Sequence, residues 1–275
     1  MPFTLSGFAD EIDGSLEVQL ETLKKLRIPG LDLRSVGGVN VMELTNDDVF
    51  RVGDLCREAG IHVQSIGSPV NKIPYDVMAQ ARELDRLDRA IKVANHLNVK
   101  RIRVFSPEVP AGQAKELGPK IIAWMRDQSR RALEGGVVLI VENDGRYWNA
   151  FPDNAKRMFD ELGGPNFKAA FDFANTVLIG YLPMPAWFPW ILPHLDTLHI
   201  KDAVHTTGKV VPAGDGDAQI EETLKWLIGT GWSGPLTLEP HLQAAGPFGG
   251  FSGADLFGEA AGALRSILDR LGVEL

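Results

Sequence analysis

The chain has 275 residues, 44% of them hydrophobic and 23% charged, a balance typical of a globular protein and unlike that of a disordered segment. The formal net charge of −8 argues against the clustered basic surface that a sequence-independent grip on nucleic acid requires. No uninterrupted apolar stretch reaches the ~20 residues that span a bilayer, and no basic segment followed by an apolar one opens the chain, so we expect a cytoplasmic protein without membrane contact.

Short apolar runs that favour strands alternate with longer segments of helical periodicity along the whole chain. The predicted strands are 3–9, 30–35, 61–67, 101–106, 137–143, 168–174, 195–202 and 234–240. Their starts recur roughly every 27 to 40 residues, the length of one strand-helix unit. Eight such units predict an α/β fold of the (β/α)8 TIM-barrel type, with residues 1–275 forming a single domain. A doubly wound open sheet, the competing fold, more often has five or six strands and a glycine-rich turn after the first, which GFADEID does not provide.

Three acidic residues and one histidine lie near the carboxyl ends of the last four predicted strands: Glu142, Asp172, His199 and Glu239. In a barrel of this type the carboxyl ends of all strands face one mouth, where the functional groups lie. Three carboxylates in one pocket repel one another unless a positive charge lies between them. We therefore predict a divalent cation, Mn2+, Mg2+, Co2+ or Zn2+, held by three oxygen ligands and one nitrogen ligand. Each acidic residue alone could instead cap the following helix, but capping accounts neither for the histidine nor for Glu239 before Pro240.

Ten short motifs follow one another along the chain: LSGFADEI, LDLRSVGGVNV, SIGSPVNK, RVFSPE, VEND, FDFAN, HIKDA, VPAGDGD, LEPHL and GGFSGADLF. In their order and spacing they resemble the xylose isomerase-like TIM-barrel superfamily, the sugar phosphate isomerase/epimerase group that includes ketose 3-epimerases and inosose dehydratases. By position, the resemblance implies the same four metal ligands. It also implies that Glu142 and Glu239 act as a catalytic acid/base pair.

The resemblance further implies substrate-binding roles for five polar residues: Asn175, Lys201, His241, Arg103 and Lys72. Lys201 stands two residues after His199, so its side chain leaves the strand on the same side. It either contacts a substrate oxygen or neutralises a carboxylate of the site. Arg103 has a similar alternative, as an ion-pair partner inside the barrel.

The resemblance implies an isomerase or epimerase that acts on a small sugar, keto-sugar or cyclitol by proton transfer through an enediolate that the cation stabilises. Two alternatives stay open, an inosose dehydratase-like lyase and a non-catalytic sugar-binding barrel. After His199 the chain supplies Lys201 and Asp215 where ketose 3-epimerases carry a polar stretch with an arginine, so the substrate is undetermined. Apurinic endonucleases of the same superfamily need further histidine ligands and a basic groove, which this acidic chain with six scattered histidines lacks.

Two loops are unusually apolar, the Pro/Trp-rich segment 181–193 and the tract 246–253. They follow the sixth and eighth predicted strands, and prolines stiffen the first of them. We expect a hydrophobic wall at the mouth or a subunit interface, the latter implying a homo-oligomer, rather than a mobile lid, and a packed Ω-like loop is the alternative. No glycine-rich phosphate loop is evident, which favours an unphosphorylated substrate.

Overall fold

Eight parallel strands close into a barrel in the computed structural model, which describes residues 3–246 and 249–274. The strands are β1 (Phe3–Gly7), β2 (Gly30–Leu33), β3 (His62–Gly67), β4 (Arg101–Val104), β5 (Val138–Glu142), β6 (Phe167–Asp172), β7 (Leu195–Ile200) and β8 (Gly234–Leu238). Each pairs with its sequence neighbours, and β1 pairs with β8 to complete the ring. Each of the eight predicted segments overlaps one of these strands, so the predicted TIM-barrel fold is confirmed.

Helices follow the strands and form the outer layer. They are α1 (Leu16–Lys25), α2 (Asn46–Ala59), α3 (Gln80–His96), α4 (Ala114–Glu134), α5 (Pro152–Leu162), α6 (Phe173–Leu178), α7 (Ile220–Thr230) and α8 (Gly253–Arg270). Local chemistry sets their ends: the Ser15 and Thr45 side chains accept hydrogen bonds from the first turns of α1 and α2, and Gly60 ends α2 in the left-handed conformation.

The remaining elements are short and lie in the loops. Three are two-stranded hairpins, Ser35–Val36 with Val39–Asn40, Asp202–Val204 with Lys209–Val211, and Ala244–Gly246 with Gly249–Phe251. The others are the one-turn helices Pro183–Ala186 and Phe188–Ile191 and the 3-10 turns Ala9–Glu11, Val77–Ala79, Trp148–Ala150 and Leu192–His194.

A polar layer ties four strands together inside the barrel. The buried Asp32 carboxylate of β2 accepts hydrogen bonds from Ser65 Oγ of β3 (2.5 Å) and Thr237 Oγ1 of β8 (3.1 Å), and Thr237 also bonds Ser6 of β1 (2.8 Å). Side chains two residues apart on a strand point to the same side. Thr237 therefore lies one layer below Glu239, so this polar layer is the floor of the barrel mouth.

The Pro/Trp-rich segment 181–193 packs on the outside of the barrel, so the expectation that it forms a wall at the mouth is wrong for its buried aromatic residues. Trp187 and Phe188 are 1% exposed, and their rings pack against Phe171 of β6 with centroid distances of 5.3 and 5.2 Å. Trp187 Nε1 also donates a hydrogen bond to Thr176 Oγ1 of α6 (2.6 Å). The segment thus completes the helical layer over β6. Of the tract 246–253, residues 247 and 248 lie outside the described residues.

Asp202 anchors the long loop that follows β7. Its buried carboxylate accepts hydrogen bonds from the backbone N–H groups of Ala203, Gly214, Gly216 and Ala218 at 2.8 to 3.2 Å. A carboxylate that satisfies four backbone donors fixes the loop conformation directly beside Lys201. Asp202 therefore ties the loop to the end of β7.

We expect Gly216→Ala to lower the free energy of unfolding by more than about 2 kcal/mol. An added Cβ would overlap Asp202 Oδ1 and the Ala203 carbonyl, and backbone atoms cannot move aside cheaply. Gly229→Ala in α7 is the control, because within the described part of the chain no heavy atom beyond its chain neighbours and the backbone of its own helix lies within 4 Å of its added Cβ. It should stabilise the helix by about 0.5–1 kcal/mol. Urea denaturation measures both, and equal stability of Gly216→Ala and wild type would contradict the loop assignment.

Candidate metal and substrate site

Four side chains from consecutive strands meet at the carboxyl end of the barrel. Glu142 ends β5, Asp172 ends β6, His199 lies near the end of β7, and Glu239 follows β8. Each offers one potential ligand atom, and these atoms all lie within 4.8 Å of one another. All four residues are at most 3% exposed. The structure therefore brings together every residue that the sequence predicts as a metal ligand.

Two asparagines hold the ends of β5 and β6 in place. Asn143 donates from Nδ2 to the Asp172 carbonyl (2.9 Å) and accepts at Oδ1 from the Asp172 N–H (2.7 Å). Asn149 donates to the carbonyl of Glu142 (2.9 Å). These bonds fix the backbones that carry Glu142 and Asp172, so their carboxylates are positioned before any ligand arrives.

One atom on each of the four residues makes no hydrogen bond within the described residues and has only ion-pair contacts, at 2.7 to 3.6 Å: Glu142 Oε2, Asp172 Oδ2, His199 Nδ1 and Glu239 Oε2. Buried polar atoms in native proteins normally have partners, and orphaned ones point to an ion or ligand. Three carboxylate oxygens and one imidazole nitrogen also suit a divalent cation such as Mg2+, Mn2+, Co2+ or Zn2+. The donor set therefore fits the metal that the sequence predicts.

Positive side chains balance the two glutamates. Arg103 Nη1 lies 3.3 Å from Glu142 Oε2 and 3.6 Å from Glu239 Oε1, and His199 Nδ1 lies 3.6 and 3.2 Å from their other oxygens. Burial opposes ionisation of Glu142, but Arg103 and His199 outweigh it and lower its pKa to about 2. Burial also opposes ionisation of Glu239, yet Lys201, His199 and His241 hold its pKa well below the usual range. Both glutamates are therefore ionised at neutral pH.

His199 carries the compensating charge when no metal is bound. Burial alone would lower its pKa, but the flanking Glu142 and Glu239 raise it to about 10. The edge of its ring also packs against the Phe8 ring, with centroids 5.4 Å apart. A metal ligand must be a neutral imidazole, so cation binding has to displace the proton from His199.

Asp172 uses its two oxygens differently. Oδ1 accepts a hydrogen bond from the N–H of Asn175 (2.8 Å) and so caps α6, as an acidic residue at a strand end often does. Oδ2 points into the cluster, 2.7 Å from Lys201 Nζ. Burial and repulsion from Glu142 and Glu239 outweigh Lys201 and raise the pKa of Asp172 to about 7. Capping and a role in the cluster thus coexist in one residue.

The five residues predicted to bind substrate surround this cluster. Arg103 lies between the two glutamates, and Asn175 donates from Nδ2 to Glu142 Oε1 (3.3 Å). Lys201 pairs with Asp172, the neutralising alternative considered from the sequence. His241 Nε2 lies 3.4 Å from Glu239 Oε1, and burial together with Lys201 lowers its pKa to about 4. Lys72 is more distant: its Nζ lies 3.4 Å from Asp144 Oδ2 and 4.4 Å from the centre of the Phe105 ring.

Sequence reasoning missed the acidic and basic group at the ends of β1 and β2. Arg34 is 4% exposed, donates to Asp10 Oδ2 (2.8 Å) and Glu239 Oε1 (2.9 Å), and lies 3.9 Å from Glu11 Oε1. In the sequence, Arg34 comes directly after a buried strand, and this position indicates that it lies at the barrel mouth. The Phe8 ring supports both guanidinium groups of the mouth, with Arg34 and Arg103 each 4.7 Å from its centre.

Glu11, Glu239 and His241 form a second group of potential ligand atoms within 4.8 Å of one another. Arg34 already contributes a positive charge to this group, 2.9 Å from Glu239 and 3.9 Å from Glu11. Glu11 Oε2 also accepts two hydrogen bonds, from the backbone N–H of His241 (2.8 Å) and from Ser252 Oγ (3.0 Å). This group therefore joins the loops after β1 and β8 rather than repeating the four-residue cluster.

Glu11→Gln should stabilise the protein at alkaline pH. Burial raises the pKa of Glu11 to about 8, against 4.5 for an exposed glutamate. The unfolded chain loses this proton first, so wild-type stability falls as pH rises from 4.5 and the loss is complete above 8. Glutamine keeps an acceptor for Ser252 and cannot ionise. The variant should therefore gain on the order of 5 kcal/mol at pH 9 and nearly nothing at pH 4.5.

Denaturant unfolding at the two pH values measures this difference. The exposed Glu21→Gln is the control for the loss of one negative charge. A pH-independent effect of Glu11→Gln would contradict the assignment of a neutral buried carboxyl group.

A family model described as xylose isomerase-like TIM barrel matches residues 27–267. Similar solved structures include a xylose isomerase-like TIM barrel protein from Mycobacterium smegmatis in complex with magnesium, at 16% identity and a TM-score of 0.71 over 99% of this chain and 98% of that one. D-allulose 3-epimerase from Methylomonas sp. in complex with D-allulose is 15% identical, with a TM-score of 0.75 over 96% of this chain and 97% of that one. The probable 3-DHS dehydratase involved in petrobactin synthesis from Bacillus anthracis is 14% identical, with a TM-score of 0.77 over 96% of this chain and 99% of that one. No curated protein matches the sequence.

Within the described residues, no helix has both the length and the apolarity to cross a membrane.

Proposed function

Because the chain belongs to the xylose isomerase-like TIM-barrel family, we propose that it is a divalent-metal-dependent isomerase or epimerase. Its substrate is a small sugar, keto-sugar or cyclitol, and the reaction moves a proton at a carbon next to a carbonyl group. Epimerases and a dehydratase among the similar structures share the fold and are consistent with this class of chemistry.

The observation that carries the proposal is the cluster of Glu142, Asp172, His199 and Glu239. Its potential ligand atoms lie within 4.8 Å of one another, and each residue has one buried atom that makes ion-pair contacts but no hydrogen bond among the described residues. Three buried carboxylates are costly for folding, and such groups are retained where a ligand or a reaction uses them. We propose that these four residues hold the cation.

A divalent cation bound by these residues would supply Lewis-acid stabilisation of negative charge on substrate oxygens. Glu142 and Glu239 supply the acid and the base. They stand on β5 and β8, with β6 and β7 between them, and both are 3% exposed. Carboxylates on separated strands can approach a carbon from two faces, so one removes a proton from the carbon, and the other, which has taken up a proton from solvent before the substrate binds, donates it to the opposite face. Burial keeps bulk water from competing for that proton.

The surrounding polar residues orient the substrate. Asn175, Lys201, His241 and Arg103 each contact one of the proposed ligands, at 2.7 to 3.6 Å, so a substrate at the cluster lies within their reach. Their amide, ammonium, imidazole and guanidinium groups donate hydrogen bonds, which suits a substrate rich in hydroxyl and carbonyl oxygens. Lys72 reaches the same mouth from the loop after β3.

Solvent-deuterium exchange tests this function. Protein purified without chelator is assayed for metal content, then incubated in D2O with a panel of ketoses and inososes and followed by NMR. We expect deuterium at a retained carbon, abolished by chelation and restored by Mn2+ or Mg2+. Loss of water from the substrate would establish a lyase instead. Ligand binding without exchange across the panel would favour a non-catalytic sugar-binding barrel and overturn the proposal.

A further inference from the structure

A basic cavity of about 430 Å3 adjoins the candidate metal site. Its lining includes four positively charged side chains and one carboxylate: Arg34, Lys72, Arg86, Arg103 and Glu43. They come from the loops and strand ends of β2, β3 and β4 and from α3. Because Arg34 and Arg103 also contact Glu239, at 2.9 and 3.6 Å, a molecule held at the cluster can extend directly into this cavity.

Two of the positive charges are held close together around one aromatic ring. Lys72 Nζ lies 4.4 Å, and Arg103 Cζ 5.0 Å, from the centre of the Phe105 ring. Burial and repulsion from Arg103 both lower the pKa of Lys72, although Glu142 and Asp144 oppose this. Two like charges kept in one buried place are stabilised when an anion joins them. This crowding therefore points to a negatively charged ligand group.

Arg103 has a hydrogen-bond donor to spare. It is 2% exposed, and its Nε has no hydrogen-bond partner among the described residues. A guanidinium group offers five N–H donors in a planar fork that matches the oxygens of carboxylates and phosphates. Glu142 and Glu239, its present partners, are also the proposed metal ligands, so a bound cation would compete for their charge. An anion in the cavity would then complete the coordination of Arg103.

We propose that this cavity binds an oxyanion carried by the substrate, a carboxylate or a phosphate, at the end remote from the reacting carbon. The inference rests on the proposed function, since it places the anion relative to the metal site. It narrows the proposed substrate class, a small sugar, keto-sugar or cyclitol, to those members that carry a carboxylate or a phosphate group. Lys72 and Arg86 act as the specificity-determining residues, because their ion-pair partners, Asp144 at 3.4 Å and Glu83 at 2.9 Å, lie outside the four-residue cluster.

Isothermal titration separates these possibilities. D-fructose, D-fructuronate, D-fructose 6-phosphate and inorganic phosphate are titrated into the Mn2+-loaded protein and into the chelated protein. We expect at least one of the two anionic sugars to bind at least tenfold more tightly than D-fructose. Preference for D-fructuronate identifies a carboxylate site, whereas preference for D-fructose 6-phosphate, with competition by inorganic phosphate, identifies a phosphate site.

Lys72→Met removes the charge at nearly constant size, and Lys209→Met, on the exposed hairpin after β7, is its matched control. Lys72→Met should weaken binding of the anionic sugar at least tenfold more than it weakens binding of D-fructose, while Lys209→Met changes neither. Arg86→Gln, at the partly exposed rim, should act in the same direction if Lys72→Met fails to fold. Three results would overturn the inference. The first is equal affinity for neutral and anionic sugars, and the second is no binding of either anionic sugar at 10 mM, which corresponds to a binding free energy of roughly −2.7 kcal/mol or weaker. The third is an equal loss of affinity for all ligands in the Lys72→Met variant.

The two proposals fail in different ways. Deuterium exchange on neutral ketoses with no preference for anions would sustain the proposed function and remove the anion site. Lys72-dependent anion binding without exchange on any substrate would sustain the anion site and remove the proposed function.

Discussion

A Glu142→Gln, Glu239→Gln double variant is expected to bind Mn2+ at least ~100-fold more weakly than the wild type, because it loses two of the four proposed ligands. Glutamine keeps the side-chain volume, and its amide oxygen is a far weaker ligand than a carboxylate. The same change removes both proposed proton-transfer groups, so deuterium exchange should fall below detection even at saturating Mn2+. Titration calorimetry with Mn2+ measures the first effect, and NMR measures the second.

Glu83→Gln is the matched control for this variant. Glu83 is a fully buried glutamate outside the cluster, where it accepts from the Asn71 N–H (2.7 Å) and from Arg86 Nη1 (2.9 Å). The Glu83→Gln variant should bind Mn2+ with the wild-type affinity. Full-strength Mn2+ binding by the double variant would refute the ligand assignment.

Metal affinity should rise about tenfold for each pH unit up to roughly pH 10. In the cation-free protein Glu142 and Glu239 raise the pKa of His199 to about 10, so below that pH its imidazole holds a proton that must leave when a cation binds. The pKa of Asp172, raised to about 7 mainly by burial, steepens the dependence below that value. Between pH 6 and 8 the apparent Mn2+ affinity should therefore increase by about 100-fold or more.

Calorimetry in two buffers of different ionisation enthalpy counts the released protons directly. We expect about one proton per Mn2+ at pH 8. A His199→Gln variant should bind more weakly and show a flatter pH dependence, because it has no imidazole proton to release. An affinity that is constant from pH 6 to 8 in the wild type would contradict the described charge state of His199.

The barrel itself could be predicted because its information is local. Apolar runs of four to six residues, separated by amphipathic segments, define strands and helices without knowledge of distant partners. The strand ends then follow, and with them Glu142, Asp172, His199 and Glu239, since parallel strands in a closed barrel bring their carboxyl ends to one mouth. Observed and predicted strand bounds differ by at most two residues, which is small beside the length of a unit.

Pairings across the barrel could not be predicted in the same way. Arg34 and Glu239 lie 205 residues apart in the chain, and either could have paired with several charged residues at the mouth. Which partner each takes depends on side-chain geometry of a few ångströms, as for Lys201 with Asp172 (2.7 Å). Glu11 was passed over for a related reason: its burial depends on the loop after β8, which supplies His241 and Ser252.

The apolar segment 181–193 shows a third limit. Its composition suits a wall at the mouth as well as packing on the outer layer, because both surfaces are hydrophobic. Trp187 and Phe188 take the outer position, since Phe171 alternates with Asp172 along β6 and points away from the site. α6 is only six residues long, so these rings cover the part of β6 that a longer helix would have covered.

The most direct test of the central claim is anomalous diffraction from crystals grown with Mn2+. We predict one strong manganese peak with Glu142, Asp172, His199 and Glu239 all within about 2.3 Å of it. A peak among Glu11, Glu239 and His241 instead, or no peak at the four-residue cluster at saturating Mn2+, would contradict the assignment of this barrel mouth as a metal site.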